Sequence, residues 1–293
     1  MKKNIGLMAA LILVLSLCAC GGQPAVEQKA ESGTAAGTET AEVTETAAES
    51  TGTNSDGVTQ ADIEKNIVGT WMLSEQDGQP ALTNEKGVLD IISTTEAYIS
   101  VSSTAGRTPW IDRLESEISI SDNVVTIAFH PHEGVSIINE FAVTDMGEDE
   151  FTANYKYSRT TDNSGTSVSE SIVKYVRIND DYSDDILGTW EGHSTSEGSV
   201  SDDGQDHRWG YKDDGTYIYY VKDGDDWVPS DNTLNEYFVA GNLLCTRWMD
   251  GDEEYREWWE ISIDGDRMNW SALREGEDGK TFTATFEMKK IKG

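Results

Sequence analysis

The chain has 293 residues, and its 54 acidic side chains outnumber its 22 basic ones, which gives a formal net charge of −32 at pH 7. This charge excludes nucleic-acid binding through a basic patch, and it also excludes electrostatic attraction to anionic lipids or wall polymers. A charge of this size favours solubility.

The first residues follow the order of a secretory signal peptide. Lys2 and Lys3 give a positive start, residues 5–17 form an apolar run, and small residues follow. The apolar run is shorter than the roughly 20 residues that a spanning helix needs. We therefore expect this segment to be cleaved rather than to remain as a transmembrane anchor.

Residues 17–22 resemble the lipobox of bacterial lipoproteins. Leu17 is the apolar residue three positions before the expected cut, Ala19 is the small residue just before it, and Cys20 follows. The resemblance implies that residues 1–19 are a lipoprotein signal peptide and that Cys20 carries the lipid. Lipid chains at this position would anchor the protein to the outer face of the cytoplasmic membrane, at the cell surface.

The number and positions of the cysteines limit which disulfides can form. Of the three cysteines, Cys18 would leave with the signal peptide and Cys20 would carry the lipid, so only Cys245 remains. The exported chain would then have no internal disulfide, and its fold must be held by its core. A lone thiol among apolar neighbours packs more often than it reacts.

Residues 20–60 differ sharply in composition from the rest of the chain. They are rich in Ala, Thr, Glu, Ser and Gly and contain no aromatic residue. Such a segment cannot bury enough apolar surface to offset its conformational entropy, so we expect a disordered acidic tether. Tethers of this kind are typical of Gram-positive lipoproteins.

An internal repeat organises the remainder. The sequence Ile-Val-Gly-Thr-Trp at 67–71 recurs as Ile-Leu-Gly-Thr-Trp at 186–190, each time after a short acidic lead-in. Each copy begins a long stretch of strand-like sequence and ends on a hydrophobic and basic strand. The repeat predicts two domains of one fold, at 61–179 and 180–293.

Both copies alternate between apolar and polar residues with a period of two, which is typical of half-buried strands. Asp-Gly pairs separate these runs in the second copy, and such pairs favour tight hairpins with type I′ turns. The pattern predicts an all-β fold made of two antiparallel meanders, each closed into a barrel so that no strand edge is left free. A pair of β-sandwiches is the alternative.

The opening Gly-x-Trp of each copy, placed at the start of the first strand, resembles the first motif of the lipocalin-like (calycin) barrels. That resemblance implies that the Trp plugs the closed end of a barrel and that a basic residue from the last strand packs across it. The implied residues are Gly69, Trp71 and Arg177 in the first copy, and Gly188, Trp190 and Lys290 (or Lys289) in the second.

Sequence motifs of catalysis and metal binding are missing from the chain. The His130-Pro131-His132 stretch brings no third ligand nearby, and the Asp-Gly pairs do not follow the spacing of a calcium loop. There is no Gly-x-Ser-x-Gly elbow and no phosphate loop. We expect no enzyme activity, no metal site and no cofactor.

Tryptophan is concentrated in the second copy, which holds seven of the nine residues of this type. Trp258 and Trp259 are adjacent, so on a strand they face opposite sides. Trp258 shares its side with Arg256 and Glu260 and is expected to be exposed. These three residues form the predicted binding face, since an aromatic ring among polar groups can stack on a ligand.

Two functions follow from these patterns. The first is non-catalytic binding of a small molecule or glycan by lipocalin-like domains held at the membrane. The alternative is a structural or interaction module with solid cores that contacts other proteins of the cell envelope.

Overall fold

The computed structural model describes residues 57–101, 111–195, 206–276 and 278–292. The predicted signal peptide, Cys20 and nearly all of the predicted tether lie outside this range. The described residues are almost entirely β-strand, arranged in two antiparallel sheets, which confirms the all-β prediction. No helix among them is long and apolar enough to cross a membrane.

The first sheet is formed by the first half of the chain. Its elements are α1 (Gln60–Asn66), β1 (Gly69–Gln76), β2 (Gln79–Pro80), a 3-10 helix (Thr83–Glu85), β3 (Val88–Ser93), β4 (Glu96–Val101), β5 (Ile111–Ser121), β6 (Val124–His132), β7 (Val135–Met146), β8 (Glu150–Thr161) and β9 (Gly165–Ile178).

This sheet closes into a barrel. Its strands follow chain order from β3 to β9, and β1 pairs with both β3 and β9, so that eight strands form a ring and β2 extends the β1 hairpin. The closing ladder runs from Thr70↔Ile178 to Gln76↔Val173. The first domain is therefore a barrel and not a sandwich.

The interior of the first barrel is filled by side chains. α1 covers one end, where Ile63 and Ile67 are fully buried beside Trp71. Thr59 caps this helix by accepting a hydrogen bond from the backbone of Asp62. The rings inside the barrel pack edge-to-face or stacked, as between Phe151 and Trp71 at 5.1 Å. Further inward residues are Leu73, Ile91, Ile127, Phe129, Ile137, Phe141, Val143, Val173 and Tyr175.

The second sheet has nine strands. They are β10 (Gly188–Ser194), β11 (Asp206–Tyr211), β12 (Tyr217–Asp223), β13 (Asp226–Pro229), β14 (Thr233–Ala240), β15 (Leu243–Asp250), β16 (Glu253–Asp264), β17 (Arg267–Glu275) and β18 (Thr281–Ile291).

This second sheet curves without closing along a full ladder. Its order is β13-β12-β11-β10-β18-β17-β16-β15-β14, so β13 and β14 are its two edges. Near one end, β14 contacts the turn before β12 through a single bridge, Thr216↔Glu236, and through a hydrogen bond from the Tyr237 backbone N–H to the Gly215 carbonyl (2.8 Å). The sheet is a half-barrel with a concave inner face.

The predicted Asp-Gly hairpin at Asp264 is present, but with a different turn. Asp264 pairs with Arg267, so the two central residues of that turn are Gly265 and Asp266. Gly265 has φ +61°, whereas Asp266 is not among the residues with positive φ. Glycine alone in the first central position is the pattern of a type II′ turn, not of the type I′ turn that we predicted.

Candidate functional site

The predicted binding face of the second domain lies against the first domain. Trp258 is only 6% exposed and packs with Met72 and Val88 of the first barrel. Alternation along β16 puts Trp258 on the outer side of the sheet, opposite the inward Trp259, but that outer side is covered. The prediction that Trp258 is an exposed stacking surface is therefore wrong.

Arg256 and Glu260, the other two residues of that face, are also engaged within the protein. The Arg256 side chain is 6% exposed, and its Nε donates to Glu254 (2.6 Å). Glu260 accepts a hydrogen bond from Nζ of Lys86 in the first domain (2.7 Å). Glu260 joins the two domains and the Arg256 side chain is buried, so neither group presents a surface to an external ligand.

In the first barrel, the Gly-x-Trp motif brings its Trp ring into contact with the basic residue of the last strand. The Trp71 indole N–H donates to the Ile67 carbonyl (2.7 Å), and the Arg177 guanidinium lies 4.2 Å from the ring centre. Gly69 has φ +142°, and a Cβ at this position would collide with the Arg177 side chain. Only glycine leaves room for the guanidinium to reach across the Trp.

The second domain repeats this arrangement with a lysine. The Trp190 indole N–H donates to the Ile186 carbonyl (2.7 Å), and Nζ of Lys290 lies 4.9 Å from the ring centre. Gly188 has φ +117°, and a Cβ there would lie 2.9 Å from Cε of Lys290. Lys290, and not its neighbour Lys289, is the basic residue over the ring. In both motifs a basic side chain of the last strand lies over the buried Trp ring.

The concave face of the second domain is lined mainly by aromatic rings. Trp270 lies at the centre, 4.8 Å from Trp209 and 5.2 Å from Trp259 between ring centres. His207 stacks on Trp209 at 5.5 Å, and its Nδ1 is hydrogen-bonded to the Tyr219 hydroxyl (2.9 Å). The Trp270 indole N–H is buried and has no hydrogen-bond partner among the described residues. A buried donor of this kind is costly unless water or a ligand satisfies it.

Two charged side chains lie next to these aromatic rings on the concave face. Glu257 on β16 and Arg274 on β17 occupy positions that face the same side of the sheet as Trp259. Their closest charged atoms are 3.6 Å apart. The Arg274 guanidinium lies 4.3 Å from the Trp259 ring centre. Each charged side chain is about a quarter exposed, at 24% for Glu257 and 26% for Arg274. A charged pair inside a domain, yet open to solvent, is a candidate for polar recognition.

A stacked aromatic pair extends the same face towards the open end. Trp248 on β15 pairs with Tyr255 on β16, and their rings are 5.6 Å apart and inclined by 15°. Both rings are partly exposed. The Tyr255 hydroxyl donates to Glu253 (2.6 Å), which holds the ring in place. We call the set Trp248, Tyr255, Glu257, Trp259 and Arg274 the aromatic mouth.

Burial shapes the acid–base behaviour of this domain. Burial raises the pKa of the Tyr237 hydroxyl to about 12, and it raises the pKa of the Tyr211 and Tyr217 hydroxyls further. The same cause raises the pKa of the Cys245 thiol well above its usual range. These groups stay protonated at neutral pH, so they act as packing and hydrogen-bonding groups rather than as nucleophiles.

Each histidine of the pair in the first domain lies beside a backbone carbonyl. Nδ1 of His130 lies 3.3 Å from the Val135 carbonyl, and Nδ1 of His132 lies 3.0 Å from the Glu133 carbonyl. In the part of the chain that the structure describes, no three His, Cys, Asp or Glu side chains are grouped so that they could hold a metal ion.

Sequence reasoning missed the aromatic mouth, although a signal was present. The alternation that placed Trp259 inward also places Tyr255 and Glu257 inward, and the run through Trp270 continues to Arg274. Because charged residues are assumed to face solvent, the two charged positions were not counted as interior.

Comparison with known proteins gives little further information. No family model matches the chain, and no curated protein sequence matches it. Among solved structures, the chain is similar to a protein of unknown function from the DUF3598 family of Nostoc punctiforme, with 10% sequence identity and a TM-score of 0.23. The alignment covers 79% of this chain and 99% of that one. A likeness at this level transfers no function.

Proposed function

We propose that the chain is a non-catalytic binding lipoprotein whose second domain holds a small molecule or glycan in the aromatic mouth. The observation that carries the proposal is the Glu257–Arg274 pair, which lies on the concave face above Trp259. A solid-core domain has no need of a charged pair that is about a quarter exposed at this place, because a largely buried pair contributes little net stability.

The shape of the second domain supports the same proposal. Its sheet leaves β13 and β14 as edges and is bridged across only at Thr216 and Glu236, whereas the first barrel closes along a full ladder. The Trp–basic motif at the opposite end, at Trp190 and Lys290, is consistent with a lipocalin-like barrel that is sealed at one end and receives its ligand at the other.

The lipobox resemblance supplies the location in this proposal. Lipid on Cys20 would hold the protein at the outer face of the cytoplasmic membrane, with residues 21–60 as the tether. Replacement of Cys20 by Ala tests this directly. We expect unprocessed precursor, or release from the membrane fraction; processing at the same site with unchanged fractionation would refute the anchor.

The binding proposal is tested by native mass spectrometry of the chain from residue 21 onward, purified from its own host. We expect an added mass that is retained by the unmodified chain and lost in Glu257→Gln and in Arg274→Gln. Glu287→Gln and Arg267→Gln are matched controls, since both residues are exposed and lie outside the aromatic mouth, Arg267 on β17 and Glu287 on β18. A protein that never carries added mass, and that binds nothing when small molecules are supplied, would refute the proposal.

One observation favours the alternative, an interaction module, for the first domain. Its barrel is filled, and its outer face carries the exposed apolar side chains Ile138, Val168 and Ile172. Contact with another envelope protein would cover these groups. Cross-linking in the native host, compared between the unmodified chain and Val168→Asp, tests this role; an unchanged cross-linking pattern would argue against it.

A further inference from the structure

We infer that the ligand of the aromatic mouth is a neutral saccharide, which stacks on Trp248 and Tyr255 and hydrogen-bonds to Glu257 and Arg274. This inference rests on the proposed function, because it names the ligand class of that same site.

The charges of Glu257 and Arg274 are opposite and lie 3.6 Å apart, so the pair has no net charge and favours a ligand without net charge. A cation entering the mouth would meet the Arg274 guanidinium, which already occupies the face of the Trp259 ring at 4.3 Å. An anion that paired with Arg274 would also lie close to the Glu257 carboxylate, which is 3.6 Å from the Arg274 guanidinium, within a chain of formal net charge −32.

Hydrogen-bonding capacity requires both donors and acceptors on the ligand. The Arg274 guanidinium makes no hydrogen bond with the described residues, although it carries five N–H donors. Its distance of 3.6 Å from Glu257 is too long for a direct hydrogen bond. The Glu257 carboxylate receives only a long contact from the Trp259 indole N–H, at 3.4 Å. A pair of neighbouring hydroxyls could accept from Arg274 and donate to Glu257 at once.

The aromatic pair fits the apolar face of a sugar ring. Tyr255 is two residues before Glu257 on β16, which is roughly 7 Å along the strand, and Trp248 pairs with Tyr255 on the neighbouring β15. That spacing matches a ring stacked on the aromatic pair with its hydroxyl edge directed at the charged pair. Aromatic side chains combine an apolar face with polar tips and so suit ligands with one apolar face and a polar rim.

Isothermal titration of the chain from residue 21 onward with neutral hexasaccharides tests the inference. The probes are maltohexaose, cellohexaose, xylohexaose and chitohexaose, with choline and dodecanoate as the cationic and anionic comparisons. We expect at least one saccharide to bind, and its affinity to fall by roughly tenfold or more in Trp248→Ala, Glu257→Gln and Arg274→Gln, as for loss of one good contact. Trp227→Ala, a partly exposed aromatic on β13, and Arg267→Gln should leave the affinity unchanged.

The outcomes separate the saccharide class from the proposed function. Binding of choline or dodecanoate that is sensitive to the mouth variants, without saccharide binding, would overturn the saccharide class and leave a ligand site in place. Saccharide binding that the three mouth variants do not weaken would place the sugar elsewhere and overturn the inference. No binding by any probe at millimolar concentration, together with no retained mass in the host-purified protein, would refute both.

Discussion

Nζ of Lys86 lies 2.7 Å from Oε1 of Glu260, and this ion pair joins the first barrel to the outer face of the second sheet. Lys86 follows the 3-10 helix of the first domain, and its side chain is 10% exposed. Thr83, in the same short helix, is buried and accepts a hydrogen bond from the Leu273 backbone N–H (2.9 Å). Below these polar contacts lies a shared apolar cluster that includes Trp258 and Cys245. The two domains therefore act as one packed unit, and the site on the concave side faces away from their junction.

Replacement of Lys86 by Met should destabilise the protein by about 1–3 kcal/mol, because it leaves the Glu260 carboxylate partly buried without its partner. Urea denaturation of the chain from residue 21 onward measures this change. Lys280→Met is the matched control, since Lys280 pairs with Asp278 at the surface with a side chain that is 81% exposed. The control should change stability by less than about 0.5 kcal/mol. Equal effects of the two substitutions would show that the Lys86–Glu260 pair does not hold the domains together.

Trp258→Ala should cost about 3–5 kcal/mol, as for other buried aromatic residues. If Trp258 were exposed on the outer face, as the sequence predicts, the substitution would lower the free energy of unfolding by less than about 1 kcal/mol. Trp259→Ala should cost a similar amount, because the Trp259 side chain is also buried, on the other side of the same strand. Trp227→Ala should cost clearly less. The urea denaturation midpoints of the three variants decide the matter: a small loss for Trp258→Ala would mean that its face is exposed in solution.

Alternation within a strand predicts the two sides of β16 but not what covers them. It separates Trp258 from Trp259, and the structure places them in different apolar clusters. What lies against Trp258 is set by Met72 and Val88, more than 150 residues earlier, and no local pattern encodes that contact. The all-β class and the Gly-x-Trp repeat are local features and were accessible from sequence. The half-open second sheet depends on strand pairing at long range, so it was not. The Glu257–Arg274 pair lies on the β16–β17 hairpin, and it was missed because charged residues are assumed to face solvent.

The Cys245 thiol should react very slowly with Ellman's reagent. It is fully buried between the domains, and it is the only cysteine in the chain from residue 21 onward. Reaction requires the domain junction to open, so we expect a rate on the order of a thousandfold below that of the urea-unfolded chain, which corresponds to an opening free energy of about 4 kcal/mol. Lys86→Met should raise the rate by roughly tenfold, while Lys280→Met should not. A fast reaction in the unmodified chain would mean that the junction is open in solution.

Stability should fall above about pH 10. Burial raises the pKa of Tyr237 to about 12 and also raises the pKa of Tyr211, Tyr217 and Tyr175. The unfolded chain loses these protons near pH 10, whereas the folded protein keeps them. The stabilisation is therefore complete below pH 10 and is lost as the pH rises towards 12, by about 1.4 kcal/mol per pH unit for each tyrosine that is ionised only in the unfolded state. Urea midpoints between pH 8 and 12, with tyrosinate absorbance at 295 nm, measure both effects. Titration of every tyrosine near pH 10 in a protein that remains folded would contradict this expectation.

The two basic residues over the buried Trp rings should contribute different amounts to the free energy of unfolding. The Arg177 guanidinium donates to the carbonyls of Glu148 (2.6 Å), Val68 (2.7 Å) and Asn66 (2.6 Å). Lys290 makes one such bond, to the Asp185 carbonyl at 3.2 Å.

Arg177→Lys should therefore cost about 1–3 kcal/mol, because a single ammonium cannot satisfy three carbonyls that the fork of a guanidinium reaches together. Lys290→Arg should change stability by less than about 1 kcal/mol, since the second domain offers one carbonyl and already accommodates a long cationic side chain. Arg177→Met and Lys290→Met complete the comparison, and the first should be the more damaging. The free energies of unfolding in urea rank all four variants. If the two Met variants lose the same stability, the hydrogen bonds of Arg177 contribute nothing beyond the contact of a cation with the Trp ring.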